Sequence, residues 1–292
     1  MGTKEIALPT SPVGWAIRLT KMVTAFSAVH GLPRFPIDVE AIAKSYSEQV
    51  FPEEPITLVE GATFSSNFEG ALKRRPNSKE WGIFFNSSLT SAGRINFTLA
   101  HELGHYLLHR SKSAEDILCQ KSDMWAWNSD YGRMESEANQ FASFLLMPRD
   151  DFEEQTAAFH KPLIADFEVL RDRYKVSITA AILKWLEFTS RRAMIVVSKD
   201  GFIDWAWSSK PLLKSGVFFK PKQHTIELPQ RALAATAVED GLHEGVELPI
   251  GVWSKREEVF ESVLLSEYHG QVISLLVFPK TPPPFERYDE AN

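Results

Sequence analysis

The sequence predicts an α+β chain, with helices concentrated in the first two thirds and strands in the last. Three observations carry this. Apolar residues recur at helical spacing over long proline-free segments that end at Gly31-Leu32-Pro33 and at Met147-Pro148. Short strand-like runs, Ile56–Val59, Phe68–Leu72 and Trp81–Phe85, interrupt them. From Ala193 onward such runs dominate. The expected divisions are a first domain over 1–150, a helical segment resembling a helix-turn-helix over 151–190, and a β-rich domain over 191–292.

Taken in order, residues 1–13 are polar, carry two prolines and are expected to be a loose leader. A helix follows over Gly14–His30, with Ile17, Leu19, Met22, Val23, Phe26 and Val29 at its spacing. Pro36-Ile37-Asp38 restarts a short helix carrying Val39, Ile42 and Ala43. Ile56–Val59 is a strand. Phe68–Leu72 and Trp81–Phe85 form a hairpin around the polar loop Lys73–Lys79. One of these two strands is the candidate to hold an extended peptide by backbone pairing. Arg94–His109 is a helix that Thr90 or Ser91 can cap. Residues 110–131 are a polar loop, with Trp125 and Trp127 expected to anchor it. Glu135–Met147 is a helix that Pro148 ends, buried along Ala138, Phe141, Ala142, Leu145 and Leu146. Two further helices carry Phe167, Leu170 and Tyr174, then, after a Ser177 cap, Ile178, Ala181, Ile182, Trp185 and Leu186. The later strands are Met194–Ser198, Phe202–Trp207, Val217–Lys220, Thr225–Leu228, Glu247–Trp253, Glu257–Tyr268 and Val272–Pro279, with a hairpin turn at Lys199-Asp200-Gly201. Pro282-Pro283-Pro284 and the acidic end are expected to be a disordered tail.

Composition excludes several classes. The 292 residues are 44% hydrophobic and 24% charged, ordinary for a soluble globular protein. A net charge of −6 gives no global attraction to nucleic acid. The single cysteine, Cys119, precludes an intramolecular disulfide. No apolar run approaches the roughly 18 residues of a membrane span, and the start lacks the apolar core of a signal peptide. A cytoplasmic protein without membrane contact is expected.

The chemistry centres on His101-Glu102-Leu103-Gly104-His105. Histidines four apart lie one turn apart on one helix face, so both rings can reach a single cation. Glu102, beside the first, can act as the catalytic base toward a water on that cation. Gly104 would let another backbone or a substrate approach closely. His109 continues the spacing. Eight residues place it about 12 Å from His101, too far to share one ion, and it is read as a helix-end residue. On the next helix Glu135 lies about 50° from the centre of the buried face and Glu137 about 110° away. Glu135 is the expected third ligand and Glu137 the alternative. Asn139, one turn on, could hold a ligand in place. The cation expected is Zn²⁺, with Mn²⁺ the other candidate. His243-Glu244-Gly245-Val246-Glu247 starts like the motif but lacks a second histidine.

The run Arg94-Ile95-Asn96-Phe97-Thr98-Leu99-Ala100-His101-Glu102-Leu103-Gly104-His105, with Glu135-x-x-x-Asn139 and Leu145-Leu146-Met147-Pro148, resembles the ImmA/IrrE family of metallopeptidases over roughly residues 14–190. The resemblance implies a zincin-like core and a gluzincin-like site, with His101, His105 and Glu135 on zinc and Glu102 catalytic. It also implies a zinc-dependent endopeptidase whose protein substrate is a helix-turn-helix transcriptional repressor. The alternative is a DNA- or partner-binding regulatory protein that uses the peptidase-like core as a binding module. Arg171, Arg173, Lys175, Lys184, Arg191 and Arg192 make the two-helix segment basic. Packing of that segment is favoured over DNA contact. The β-rich domain is read as a sensor, a docking surface or a dimer interface.

Overall fold

A computed structural model describes residues 7–64, 68–111, 117–120, 130–237, 241–266 and 270–283. The chain has the expected α+β character and divides into two compact units: Met1–Gln155 with Leu170–Ser177, and Thr156–Val169 with Ile178–Asn292. The helical segment 151–190 is therefore shared between the units. Trp125, Trp127 and the acidic tail lie outside the described residues.

In the first unit, α1 (Pro12–His30) starts where Ser11 Oγ accepts from the Gly14 amide and stops at Gly31, whose φ of 65° suits glycine. Helix α2 (Val39–Val50) starts where Asp38 accepts from the Ala41 amide at 2.9 Å. Strands β1 (Ile56–Ala62), β2 (Phe68–Arg74), β3 (Trp81–Asn86) and β4 (Ile117–Gln120) form one sheet in the order β1-β3-β2-β4. Strand β1 runs parallel to β3, and the β3/β2 and β2/β4 pairs are antiparallel. The β2–β3 hairpin is thus as expected. Its proposed peptide-pairing role is not met, because both strands are interior: β3 is flanked by β1 and β2, and β2 by β3 and β4. Their backbone groups are already used.

Helix α3 (Ala92–His109) follows β3 and begins where Ser91, rather than Thr90, accepts from the Arg94 amide. It lies against β2 and β3 on one side and against α4 (Asp130–Leu146) on the other. Helix α4 buries Glu135, Ala138, Phe141, Ala142, Leu145 and Leu146, the face read from the sequence. After Pro148, α5 (Arg149–Gln155) carries Asp151, which accepts from Arg173 at 2.6 and 2.7 Å and from the Tyr174 hydroxyl. The stretch 170–177 closes on the start of α3. Asn96 Nδ2 donates to the Lys175 carbonyl at 3.2 Å, and a Cβ on Gly93 would lie 2.7 Å from the Val176 carbonyl carbon.

Helix α6 (Glu168–Tyr174) and α7 (Ile178–Phe188) are the two helices of the expected helix-turn-helix pattern. Leu170–Tyr174 belongs to the first unit and α7 to the second. The cations of this region are largely spoken for. Arg173 binds Asp151, and Arg171 pairs with the adjacent Asp172. Lys184 is buried 3.2 Å from Glu187. Arg192 is buried in a two-pronged contact with Glu257 at 2.6 and 2.8 Å. Lys184 and Arg192 are thereby withdrawn from solvent, whereas Arg171 and Arg173 stay partly exposed.

The second unit holds an antiparallel sheet, β6-β5-β9-β8-β7, made of β5 (Ala193–Lys199), β6 (Phe202–Ser208), β7 (Gly241–Leu248), β8 (Val259–Ser266) and β9 (Gln271–Val277). The β5–β6 turn has φ of 51° at Asp200 and 81° at Gly201, as the Asp-Gly pair requires. Short helices α8 (Lys210–Lys214) and α9 (Leu233–Thr236) lie between β6 and β7. Three predicted strands differ. Val217–Lys220 is not a strand, Thr225–Leu228 contributes one isolated bridge from Glu227 to Phe202, and the run Glu247–Trp253 keeps only its first two residues in β7. Their alternating apolar residues, Val217, Phe219, Ile226, Leu228, Leu248 and Val252, do pack on the core of this unit. Pro221, Pro229 and Pro249 interrupt the backbone before a ladder can extend. Glu261, buried in β8, accepts from the Trp253 indole, Ser274 and the amides of Leu233 and Ala234, which accounts for a carboxylate in this core.

Candidate metal centre

Helix α3 aligns His101, His105 and His109 at four-residue spacing, and all three are buried, as is Glu102. The Nε2 atoms of His101 and His105 stand 3.0 Å apart. Glu135, from α4, places Oε2 at 3.2 Å from His101 Nε2 and Oε1 at 3.2 Å from His105 Nε2. The three candidate ligand atoms lie within 4.8 Å of one another.

Glycine makes this convergence attainable. A Cβ on Gly104 would lie 2.9 Å from Phe141 Cδ1 and 3.2 Å from Ala138 Cα. The backbone admitted at Gly104 is therefore that of α4, the helix that brings Glu135. A second glycine does similar work on the other side of α3. Gly70, within β2, faces Thr98 and Glu102; a Cβ there would run into Thr98 Cγ2 and lie 2.8 Å from Glu102 Oε1 and 3.1 Å from the Phe84 carbonyl oxygen. Glu102 itself is fully buried.

The hydrogen bonds around the imidazoles decide where their protons sit. Asn139 Oδ1 lies 2.9 Å from His101 Nδ1, so His101 donates there and its Nε2 carries a lone pair. On the other ring, His105 Nδ1 lies 3.0 Å from His109 Nδ1, and His109 Nε2 lies 3.0 Å from Glu137 Oε2. Two imidazole nitrogens and a carboxylate are aimed at one point. That set fits a divalent cation bound by nitrogen and oxygen.

The electrostatics agree. Burial works against the Glu135 carboxylate, but hydrogen bonds and charge from His101 and His105 hold it far below the usual carboxylate range. At His105 burial, to which the neighbouring imidazoles add, outweighs Glu135 and pushes it down to about 4. At His101 burial is outweighed by Glu135, the Glu102 charge and Asn139, so its affinity for a proton is raised. Two imidazoles in contact cannot both be charged, and His101 is the one that competes for positive charge.

His101, Glu102, His105 and Glu135 are thus brought together. Glu137 is not with them: it turns to His109 and toward Arg133. Asn139 holds one of the expected ligands in place, His101. His109, read as a helix-end residue, is a buried partner of His105. The signal for it was present, a third histidine in phase with two ligands on a buried face. The signal for Gly70 was a lone glycine inside a strand. Tyr106 directs its hydroxyl to the Glu54 carbonyl at 2.7 Å and so offers no donor to the site.

Residues 63–185 match the family model described as the IrrE N-terminal-like domain, Peptidase_M78. The match takes in α3, α4 and all four residues above, and it supports the ImmA/IrrE resemblance and a metallopeptidase role in general. No curated protein matches the chain. Among the described residues, no helix is long and apolar enough to cross a membrane.

Proposed function

Taking residues 63–185 as an IrrE N-terminal-like domain, we propose that the chain is a zinc-dependent endopeptidase that cleaves a specific protein, a helix-turn-helix transcriptional repressor. The observation that carries this is the meeting of His101 Nε2, His105 Nε2 and the Glu135 carboxylate within 4.8 Å, on the helix that buries Glu102. His101, His105 and Glu135 would hold the cation, which supplies Lewis-acid activation of water and of a peptide carbonyl when bound. Glu102 then accepts a proton on its carboxylate from the attacking water and delivers it to the nitrogen of the leaving amine. The bond broken is the amide C–N bond, and the oxygen gained by the new carboxylate comes from water. The buried environment of Glu102 keeps bulk water from competing for that proton. Asn139 orients the His101 ring throughout. The repressor as substrate rests on family kinship rather than on this geometry.

The test uses the full chain and a small repressor encoded beside it. Purified protein is expected to contain one zinc per chain and to cleave the repressor at a single bond, and a chelator is expected to stop cleavage. Glu102→Gln should keep the metal and lose cleavage by about three orders of magnitude or more, as expected when the proton carrier is removed. A Glu102→Gln protein that cleaves at the wild-type rate would refute this mechanism.

A further inference from the structure

We propose that Glu137 and His109 are positioning residues for the metal: they form a relay that keeps the Nε2 lone pair of His105 directed at the cation. The inference rests on the metal-centre reading above and extends it beyond the residues that reach the ion. A carboxylate only accepts, so the 3.0 Å contact of His109 Nε2 with Glu137 Oε2 places a proton on that nitrogen. A neutral His109 then presents Nδ1 as a lone pair. Nδ1 of His105, 3.0 Å away, must be the donor between them. A neutral His105 with its proton on Nδ1 has a bare Nε2, and Glu135 Oε1, 3.2 Å away, is then its fellow ligand to the cation rather than its hydrogen-bond acceptor. If the order reversed, with the proton on His109 Nδ1, the His105 proton would move to Nε2 and block ligation.

Burial makes the relay necessary. His105 and His109 are both 0% exposed, so each ring relies on partners inside the protein rather than on bulk water. The Glu137 carboxylate is one-third exposed and ends the chain at the surface of α4. Helix α4 therefore acts on the site three times. Glu135 meets both candidate ligand nitrogens, Asn139 sets the first imidazole, and Glu137 sets the second through His109.

The test is zinc affinity of the full chain, measured by competition with a chromophoric chelator, beside metal-free melting curves. His109→Phe removes the acceptor and is expected to weaken zinc binding roughly 10- to 100-fold. His109→Gln, whose carbonyl can accept from His105 Nδ1, should recover much of that loss. Glu137→Ala, at a partly exposed position, should weaken binding by several-fold to about tenfold, and it decides the matter if His109→Phe does not fold. Wild-type affinity in folded His109→Phe or Glu137→Ala overturns the relay, as does equal weakening by Phe and Gln. A wild-type chain that binds no zinc overturns the metal centre itself, and the two failures are thereby distinguished.

Discussion

Replacing Gly104 with alanine tests whether the closeness of α3 and α4 sets the metal centre. An added Cβ would stand 2.9 Å from Phe141 Cδ1, 3.2 Å from Ala138 Cα and 3.3 Å from the Ala138 carbonyl oxygen. Carbon contacts settle at about 3.5–4.0 Å, so the helices must part by about half an ångström. Two of the three obstacles are backbone and cannot rotate aside. Alanine gains about 1 kcal/mol over glycine inside a helix. Overpacking costs about 1–3 kcal/mol. The fold should therefore lose at most about 2 kcal/mol. The ligand set is less tolerant, because the 3.2 Å contacts of Glu135 with His101 and His105 span this same interface. Constellations of this kind need placement within about 0.5 Å. Zinc affinity should fall about tenfold or more, which is about 1.4 kcal/mol or more. Chelator competition reads the affinity and a metal-free melt reads the fold. A Gly104→Ala protein that melts within a few degrees of wild type and binds zinc within twofold of it would refute the reasoning.

Three further outcomes are expected. Free zinc at a hundred times its dissociation constant should stabilise the wild type by about 2.7 kcal/mol, and Glu135→Gln should lose most of that metal-dependent rise in melting temperature; an equal rise in the variant would remove Glu135 from the ligand set. Gly70→Ala should press on both Thr98 and Glu102 of α3 and lower repressor cleavage about 10- to 100-fold, as a misplaced proton carrier does, while zinc stoichiometry stays at one; unchanged cleavage would show that β2 does not position Glu102. Asp151 is pushed up by burial but held below the ordinary 3.8 by Arg173 and Tyr174. A depressed acid contributes stability above its unfolded value and loses it as pH falls through the folded one. Asp151→Asn should therefore cost about 1–3 kcal/mol at neutral pH and progressively less below about pH 4. Urea midpoints at pH 7 and pH 3 check this, and a gap of the same size at both would contradict it.

Much of the fold and the core of the site could be read from residues alone because their signals are local. The spacing of His101 and His105 is set within one helix, and α3 runs close to its expected limits, while α4 starts at Asp130, before the expected Glu135. The buried face of α4 was enough to rank Glu135 above Glu137 for the place beside the imidazoles. What escaped depends on which groups a side chain meets rather than on where its element runs. His109 is too far from His101 to share its ion, which is correct for a ligand and irrelevant for a hydrogen bond to His105. The alternation in Val217–Lys220 and Thr225–Leu228 reported which side chains are buried, but it carried no information on whether a neighbouring strand would pair with the backbone. Likewise β2 looked like a strand, and only the sheet order revealed that β4 covers its remaining edge.

The same distinction explains why the four-residue histidine spacing cannot by itself make a metal centre. A helix can deliver two imidazoles to one side, but it cannot choose which nitrogen of each carries the proton. That choice lies with acceptors on α4: Asn139 at 2.9 Å for His101, and Glu137 through His109 for His105. Those acceptors reach α3 only because Gly104 lets α4 approach. A side chain at Gly104, a change at Asn139 or a change at Glu137 should therefore each weaken the cation without touching an atom that binds it. The ligand triad is the visible part of a helix-to-helix contact, and the chemistry of the site depends on that contact as much as on the triad.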